Sequence, residues 1–171
     1  AQVVNEAEER ELAGILARNA DERFAHRIAR AVVARRPISN TLELAEIVRS
    51  AIPAAVRRTG GHPAKRTFQA IRIEVNRELD RLAGALDEAI DRLVPGGRGA
   101  VLSYHSGEDR LVKDRFSHAT TGGCTCPPRL PCACGAQPTA MARRRSVRPS
   151  TGEVEANPRA KSARLRVVER L

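Results

Sequence analysis

Apolar residues recur at helical spacing along most of this chain and switch to strict alternation near its end. Across residues 6–18 ("EAEERELAGILAR"), Leu12, Ile15 and Leu16 share one helical face. Residues 21–35 repeat the pattern with Phe24, Ile28, Ala31 and Val32, with Asp21 as the expected N-cap and Pro37 beyond the end. Asn40 followed by Glu43 reads as a capping-box start for a third helix striped by Leu44, Val48 and Ile52, stopped by Pro53. Together these predict a small helical bundle. "RRTGGHP" (57–63) reads as a loop. The strongest periodicity follows: Phe68, Ile71, Val75, Leu79, Leu82, Leu86, Ile90 and Leu93 are separated by three or four residues throughout. That pattern predicts one continuous helix of about 27 residues, roughly 40 Å long at 1.5 Å per residue. Gly84 is its expected weak point.

"PGG" at 95–97 ends this seam, and Gly99–Ser103 reads as a short strand. Ser106 then caps a helix expected to run through about Phe116, with Glu108 and Asp109 in its first turn, where the helix dipole favours negative charge. Helix, tight turn, strand and helix is the grammar of a parallel α/β sheet. Ligands in such sheets bind beyond the carboxyl ends of the strands, which is where His105 falls. Residues 117–140 are rich in Gly, Pro and Cys and read as irregular, and the basic stretch 141–148 is a possible strand. Ser150 with Glu153 resembles another capping box, ended by Asn157-Pro158. In "SARLRVVER", Ala163, Leu165 and Val167 alternate with Arg164 and Arg166, which predicts a terminal strand with one wet face.

Length changes little in this picture: 171 residues suit one domain, or a domain with an appendage. Charge changes more. Residues 1–109 hold 17 Lys/Arg against 16 Asp/Glu, whereas residues 110–171 hold 13 against 4. A basic block confined to one end suits a polyanion such as nucleic acid, although a solvated Arg-rich surface accounts for it equally well. Only Phe24, Phe68, Phe116 and Tyr104 are aromatic, which argues against a binder that stacks single-stranded bases on aromatic platforms. No run of 18 apolar residues offers a membrane span, and "AQVVNEAEER" is not a secretion signal.

Three features carry candidate chemistry. Lys65, Gln69, Arg72 and Asn76 form a polar stripe on the long seam's N-terminal half, with Arg66 beside it. Gln and Asn offer paired donors and acceptors, and Arg holds phosphate, but a solvated helix face explains the spacing more economically. His105, Ser106 and Asp109 suggest a Ser–His–Asp relay, which their adjacency and the lack of a nucleophile elbow exclude. His105 is the residue with catalytic promise there. Finally, Cys124, Cys126, Cys132 and Cys134 lie within the Cys-rich loop 122–135 and could surround one zinc ion. Disulfides and reduced thiols remain alternatives. The glycine pairs at 60–61, 96–97 and 122–123 do not make a G-x-G-x-x-G nucleotide loop.

The stretches "HPAKRTFQAIRIEVNREL" (62–79), "PGGRGAVLSYHSGEDRLVK" (95–113), "CTCPPRLPCACG" (124–135) and "NPRAKSARLRVVERL" (157–171) together resemble the bacterial S-adenosylmethionine-dependent methyltransferases that modify N4 of a cytidine in 16S ribosomal RNA. The resemblance covers nearly the whole chain. Tyr104, Gly107 and Lys65 depart from the family's usual Phe, aliphatic and small residues. It implies an α/β fold: part of a class I, Rossmann-like methyltransferase sheet with an N-terminal helical insertion. The implied division is 1–62 for the insertion, which recognises substrate, and 63–171 for the C-terminal half of the methyltransferase domain. It also implies that the S-adenosylmethionine pocket lies in an N-terminal half that this chain lacks, so no cofactor-binding residue is assigned here and the chain alone is expected to be inactive. Expected RNA contacts are Arg66, Gln69, Arg72 and Asn76, the block Arg143, Arg144, Arg145 and Arg148, and the final-strand arginines. The small ribosomal subunit is the implied partner and the cytoplasm the implied compartment. Exposed sheet edges and a bare helix seam also favour pairing, so a homodimer is a further expectation.

Two readings compete with the enzyme. One is a non-catalytic RNA-binding remnant on the same half-sheet, stapled by four cysteines around zinc. The other is an interaction module whose basic tail is merely solvated.

Overall fold

Each apolar stripe forms a helix, but the helices start, stop and break where local hydrogen bonding dictates. The computed structural model describes residues 1–57, 61–127, 133–142 and 146–171. They fall into two compact units, Ala1–Glu78 and Leu79–Leu171.

The first unit contains α1 (Gln2–Glu6), α2 (Glu9–Ala20), α3 (Ala25–Val33), α4 (Thr41–Ala51), α5 (Ala54–Arg57) and α6 (Lys65–Asn76). Leu12, Leu16, Ile28, Val32 and Val48 are fully buried at its centre, and Ala64 and Ala70 join them. Burying aliphatic side chains of this size is worth roughly 1.5–3 kcal/mol each. Helix α6 belongs to this core, although the sequence boundary at residue 62 precedes it. Asn19 of α2 is buried, and its side-chain amide donates to the Ala70 carbonyl (3.2 Å) and to Glu74 Oε2 (2.9 Å), tying α2 to α6. Asn40 caps α4 as expected, accepting from the Glu43 amide at 2.9 Å, while the Glu43 carboxylate returns to Ser39. Asp21 does not cap α3. It closes α2 in the left-handed region (φ 47°), which a short Asp side chain tolerates better than most, and its N–H donates to the Ala17 carbonyl.

The continuous long helix is interrupted. Arg77 takes φ 51°, ending α6, and α7 (Glu78–Asp91) begins at the next residue. A non-glycine residue there costs of order 1–3 kcal/mol. The break is stitched by Glu78. Its carboxylate accepts from Arg72 Nε (2.9 Å) and Nη2 (3.0 Å), and from Asn76 Nδ2 (3.0 Å). A one-residue break leaves three-and-four spacing intact, so periodicity cannot see it. Gly84 lies within α7, and a Cβ added there would meet nothing within 4 Å, so the glycine serves no close packing. Val75, expected in the seam, is 60% exposed.

The second unit continues α7 into β1 (Arg98–Ser103), α8 (Ser106–Thr121), β2 (Ala140–Ala142), α9 (Thr151–Ala156), a 3-10 turn at Pro158–Ser162, and β3 (Arg164–Arg170). Ser150 caps α9 as expected, accepting from the Glu153 amide. The three strands form one sheet in the order β1–β3–β2. Both outer strands run antiparallel to β3, with Gly99 opposite Val168, Val101 opposite Arg166, and Ala142 opposite Val168. The expected parallel pairing of Gly99–Ser103 is therefore corrected: among the described residues its ladder partner is antiparallel. The crossover that suggested parallel strands does exist. Strands β1 and β2 share a direction and are joined through α8, but β3 is inserted between them. The alternating stretch is the chain's last strand, as expected, and it occupies the centre of the sheet.

Alternation divides the sheet cleanly. One face packs Val101 and the fully buried Val168 against Leu86 and Ile90 of α7 and Val112, Phe116 and Ala119 of α8. The other face carries Leu102, Met141 and Val147, each 42–51% exposed, with Leu165 and Val167 half-buried among them. On this face an ion pair joins Arg98 to the buried Glu169 at 2.8 Å, directly across the ladder.

Candidate functional site

The polar cluster after β1 is organised by two carboxylates. His105, rather than Ser106, is the N-cap of α8: its Nδ1 accepts from the Glu108 amide (3.3 Å). The Glu108 carboxylate reaches back to the amides of Tyr104 (2.9 Å) and His105 (3.3 Å), completing a reciprocal capping box. His105 Nε2 lies 3.2 Å from Glu108 Oε1 without forming a hydrogen bond among the described residues. Both imidazole nitrogens thus face Glu108, and the side chain is 16% exposed. Ser106 is the first helical residue, on the exposed surface. Tyr104 is 57% exposed at the rim.

Asp109 turns the other way. Its two oxygens take Arg166 Nε (2.7 Å) and Nη2 (3.0 Å) from β3 in a fork-to-fork pair that is mostly buried. Asp109 is thus engaged by Arg166, while His105 faces Glu108. The Asp109 pair also removes Arg166 from the final-strand arginines available to phosphate. Arg170 likewise approaches Asp91 (3.8 Å).

The Arg166 hydrogen bonds hold the Asp109 carboxyl below its usual range, and the charges of Arg166, Arg164 and Lys113 add to the effect. A depressed folded-state pKa contributes stability that is complete above the unfolded value of about 3.9 and is lost as pH falls through the folded value. Arg166→Met is therefore expected to cost about 2 kcal/mol in urea unfolding at pH 7, and clearly less near pH 2. An equal cost at both pH values would mean the pair contributes only through packing.

In the first unit, the stripe named from sequence lies along α6. Arg66 is exposed and donates to the Asp21 carbonyl (3.2 Å), and Gln69 is half-buried. Arg72 and Asn76 are exposed and bound to Glu78. The stripe is thus one surface of α6, with two of its members already engaged by a carboxylate. Arg148 is exposed on the segment preceding α9, whereas Arg143, Arg144 and Arg145 lie outside the described residues.

The loop after α8 brings cysteines together. The Sγ atoms of Cys124, Cys126 and Cys134 all lie within 4.8 Å of one another; Cys132 falls outside the described residues.

Sequence reasoning missed the His105 cap and the Asp109–Arg166 pair. The first had a signal, because Glu108 stands three residues after His105 as a capping box requires. The second had none, since 57 residues separate the partners.

A helical unit and an α/β unit, the latter with polar residues at a strand's carboxyl end, make this a mixed α/β chain. The chain belongs to the MraW methylase family, whose profile matches residues 1–171. It is 51% identical over 175 residues to the ribosomal RNA small subunit methyltransferase H of Heliobacterium modesticaldum, covering 99% of this chain and 56% of that protein. The namesake from Symbiobacterium thermophilum is 52% identical, covering 100% of this chain and 55% of that protein. That from Acidothermus cellulolyticus is 56% identical, with 100% and 53% covered. The chain spans about half the length of these relatives. Among the described residues, no helix is long and apolar enough to cross a membrane.

Proposed function

We propose that these residues are the acceptor-side portion of an S-adenosylmethionine-dependent enzyme that methylates N4 of a cytidine in 16S ribosomal RNA. The observation that carries this reading is the extended identity, about half of all positions, to relatives named as small-subunit rRNA methyltransferases. The exposed apolar face of the sheet supports it: Leu102, Met141 and Val147 form a surface that the further chain found in the relatives can cover.

On this reading no S-adenosylmethionine contact is assigned among the described residues: the strand-to-helix junction from β1 to α8 holds Tyr104 and the capping residue His105 rather than a glycine loop. Donor binding is assigned to the part of the relatives' length that this chain does not span. The task of the chain is to present the base. The cytosine amine is a weak nucleophile, so its in-line placement and the loss of its proton set the rate, and the base must leave its stack or arrive single-stranded. The rim formed by Tyr104, His105 and Ser106 borders that position, and the His105–Glu108 box holds it rigid. Gln69 and Arg66, Arg72 and Asn76 on α6, with the Arg143–Arg145 and Arg148 block, bind RNA backbone. For Arg72 and Asn76 this means exchanging Glu78 for phosphate or base, a modest demand for an exposed pair.

The test is methylation of unmodified small ribosomal subunits, comparing residues 1–171 with the same protein extended to the relatives' length. N4-methylcytidine is expected only with the extended protein; its absence there would falsify the reading. RNA affinity should also be strongly salt-dependent, falling by at least about a hundredfold between 50 and 200 mM salt. Alanine at Arg143, Arg144, Arg145 and Arg148 should flatten that slope. Affinity indifferent to salt would remove the basic block from the interface. A second reading, a non-catalytic RNA-binding remnant stapled by metal, draws on the cysteine triad; methylation by the extended protein counts against the non-catalytic role and leaves the metal to its own test.

A further inference from the structure

We propose that Cys124, Cys126 and Cys134 form a zinc-binding tripod that staples the connection between α8 and β2. In a tetrahedral thiolate site, Zn–S bonds of about 2.3 Å place the sulfurs about 3.8 Å apart. The three Sγ atoms, all within 4.8 Å of one another, are compatible with that spacing. A disulfide needs sulfurs about 2.05 Å apart and joins only two of the three. Two cysteines of the tripod come from one side of the loop and the third from the other. The convergence therefore depends on how the loop is closed.

That closure is built into the fold. Gly122 ends α8 at φ 64°, so close to the backbone of Gln137 that a Cβ there would sit 2.5 Å from it. Gly123 (φ 73°) lies beneath the His118 ring, where a Cβ would come within 2.8 Å of Nε2. The Thr139 amide donates to the Ala119 carbonyl at 2.9 Å, fixing the returning chain just before β2. Cys124 leaves this base and Cys134 re-enters it, so a scaffold of backbone contacts holds the two arms of the loop together. Cys124 and Cys126 are half-buried and Cys134 is exposed, which gives a metal an approach from solvent. Three soft thiolates in tetrahedral array select zinc, or iron in a cluster, over magnesium or calcium. Binding releases thiol protons and joins the two arms through the metal.

The full chain, purified under reducing conditions, is expected to carry about one zinc per molecule by elemental analysis. Cobalt substitution should give the intense visible bands of a tetrahedral thiolate site. Cys124→Ser and Cys134→Ser should each weaken zinc binding by at least about a hundredfold in competition with a chromophoric chelator, because even outer-shell partners of a metal are worth 10–100-fold. Should either variant fail to fold, the wild-type protein supplies an independent readout. Chelation should speed hydrogen exchange at the amides of Gly123, Cys124 and Thr139 while leaving the β1–β3 ladder protected. Three results would each overturn the proposal: a reduced wild-type chain without zinc at equimolar metal, a coloured iron–sulfur chromophore, or exchange unaltered by chelation.

Discussion

A chain ending at Ala163 loses its sheet. Removing Arg164–Leu171 takes away β3, the only strand that β1 and β2 each pair with in the observed ladder. Neither neighbour can compensate, because the sheet order separates them. The same deletion strips fully buried Val168 from the core of α7 and α8 and leaves Asp109 without Arg166. These losses together exceed the 5–15 kcal/mol that typically holds a domain folded. Hydrogen exchange should show the amides of residues 99–103 unprotected in the truncated protein. Those of α2, α3 and α4, whose core is the separate first unit, should keep most of their protection. Continued protection of 99–103 would mean that β1 is held by something other than β3. Removal of Leu171 alone should cost far less, since it lies beyond the strand, is half-exposed and gives up one backbone hydrogen bond, to the Thr139 carbonyl at 3.0 Å.

The second large effect is expected at Gly122. Alanine there bears two costs. A left-handed backbone at φ 64° disfavours any Cβ by about 1–2 kcal/mol. The new Cβ would also press into the Gln137 backbone at 2.5 Å, and Thr139, two residues on, is tethered to Ala119 and cannot give way freely. A total near 3 kcal/mol is expected in urea unfolding. Gly135 is the matched control: it has φ 68° but nothing within 4 Å, so Gly135→Ala should show the conformational cost alone, about 1 kcal/mol. Equal effects at the two positions would show that the approach to Gln137 is relieved by movement of the loop. The Gly122 variant should also weaken zinc uptake more than the Gly135 variant, since it disturbs the loop's closure.

Much of this architecture is readable from local pattern. The stripes at Leu12–Leu16, Phe24–Val32 and Leu44–Ile52 each lie on a helix, and Asn40 and Ser150 cap where their spacing to an acidic residue says they should. Three misreadings share a cause. Asp21 and Arg77 adopt left-handed conformations that side-chain chemistry only permits, and the neighbouring chain decides whether they are used. His105 took the capping role expected of Ser106 because the helix began one residue earlier than a serine cap requires. At Arg77 and His105 a single residue decides the outcome, whereas Asp21 closes α2 three residues before Phe24, the N-cap of α3; none of these changes disturbs the apolar period.

For the candidate site the same division holds. Cysteine spacing was visible as a metal pattern, but spacing does not bring sulfurs together; the closure at Gly122, Gly123 and Thr139 does. The basic block was visible as charge, yet Arg166 turned out to be spent on Asp109, a partner that no local window contains.

The sequence by itself determined the helices, the strand-forming alternation, the basic end and the family, because each is written in neighbouring residues or in extended similarity. Only the tertiary structure decided that the last strand is central, that the sheet is antiparallel around it, and which charges neutralise one another. Those outcomes depend on contacts between residues some 25 to 70 positions apart, where the favourable partner is chosen by packing and desolvation rather than by any period along the chain.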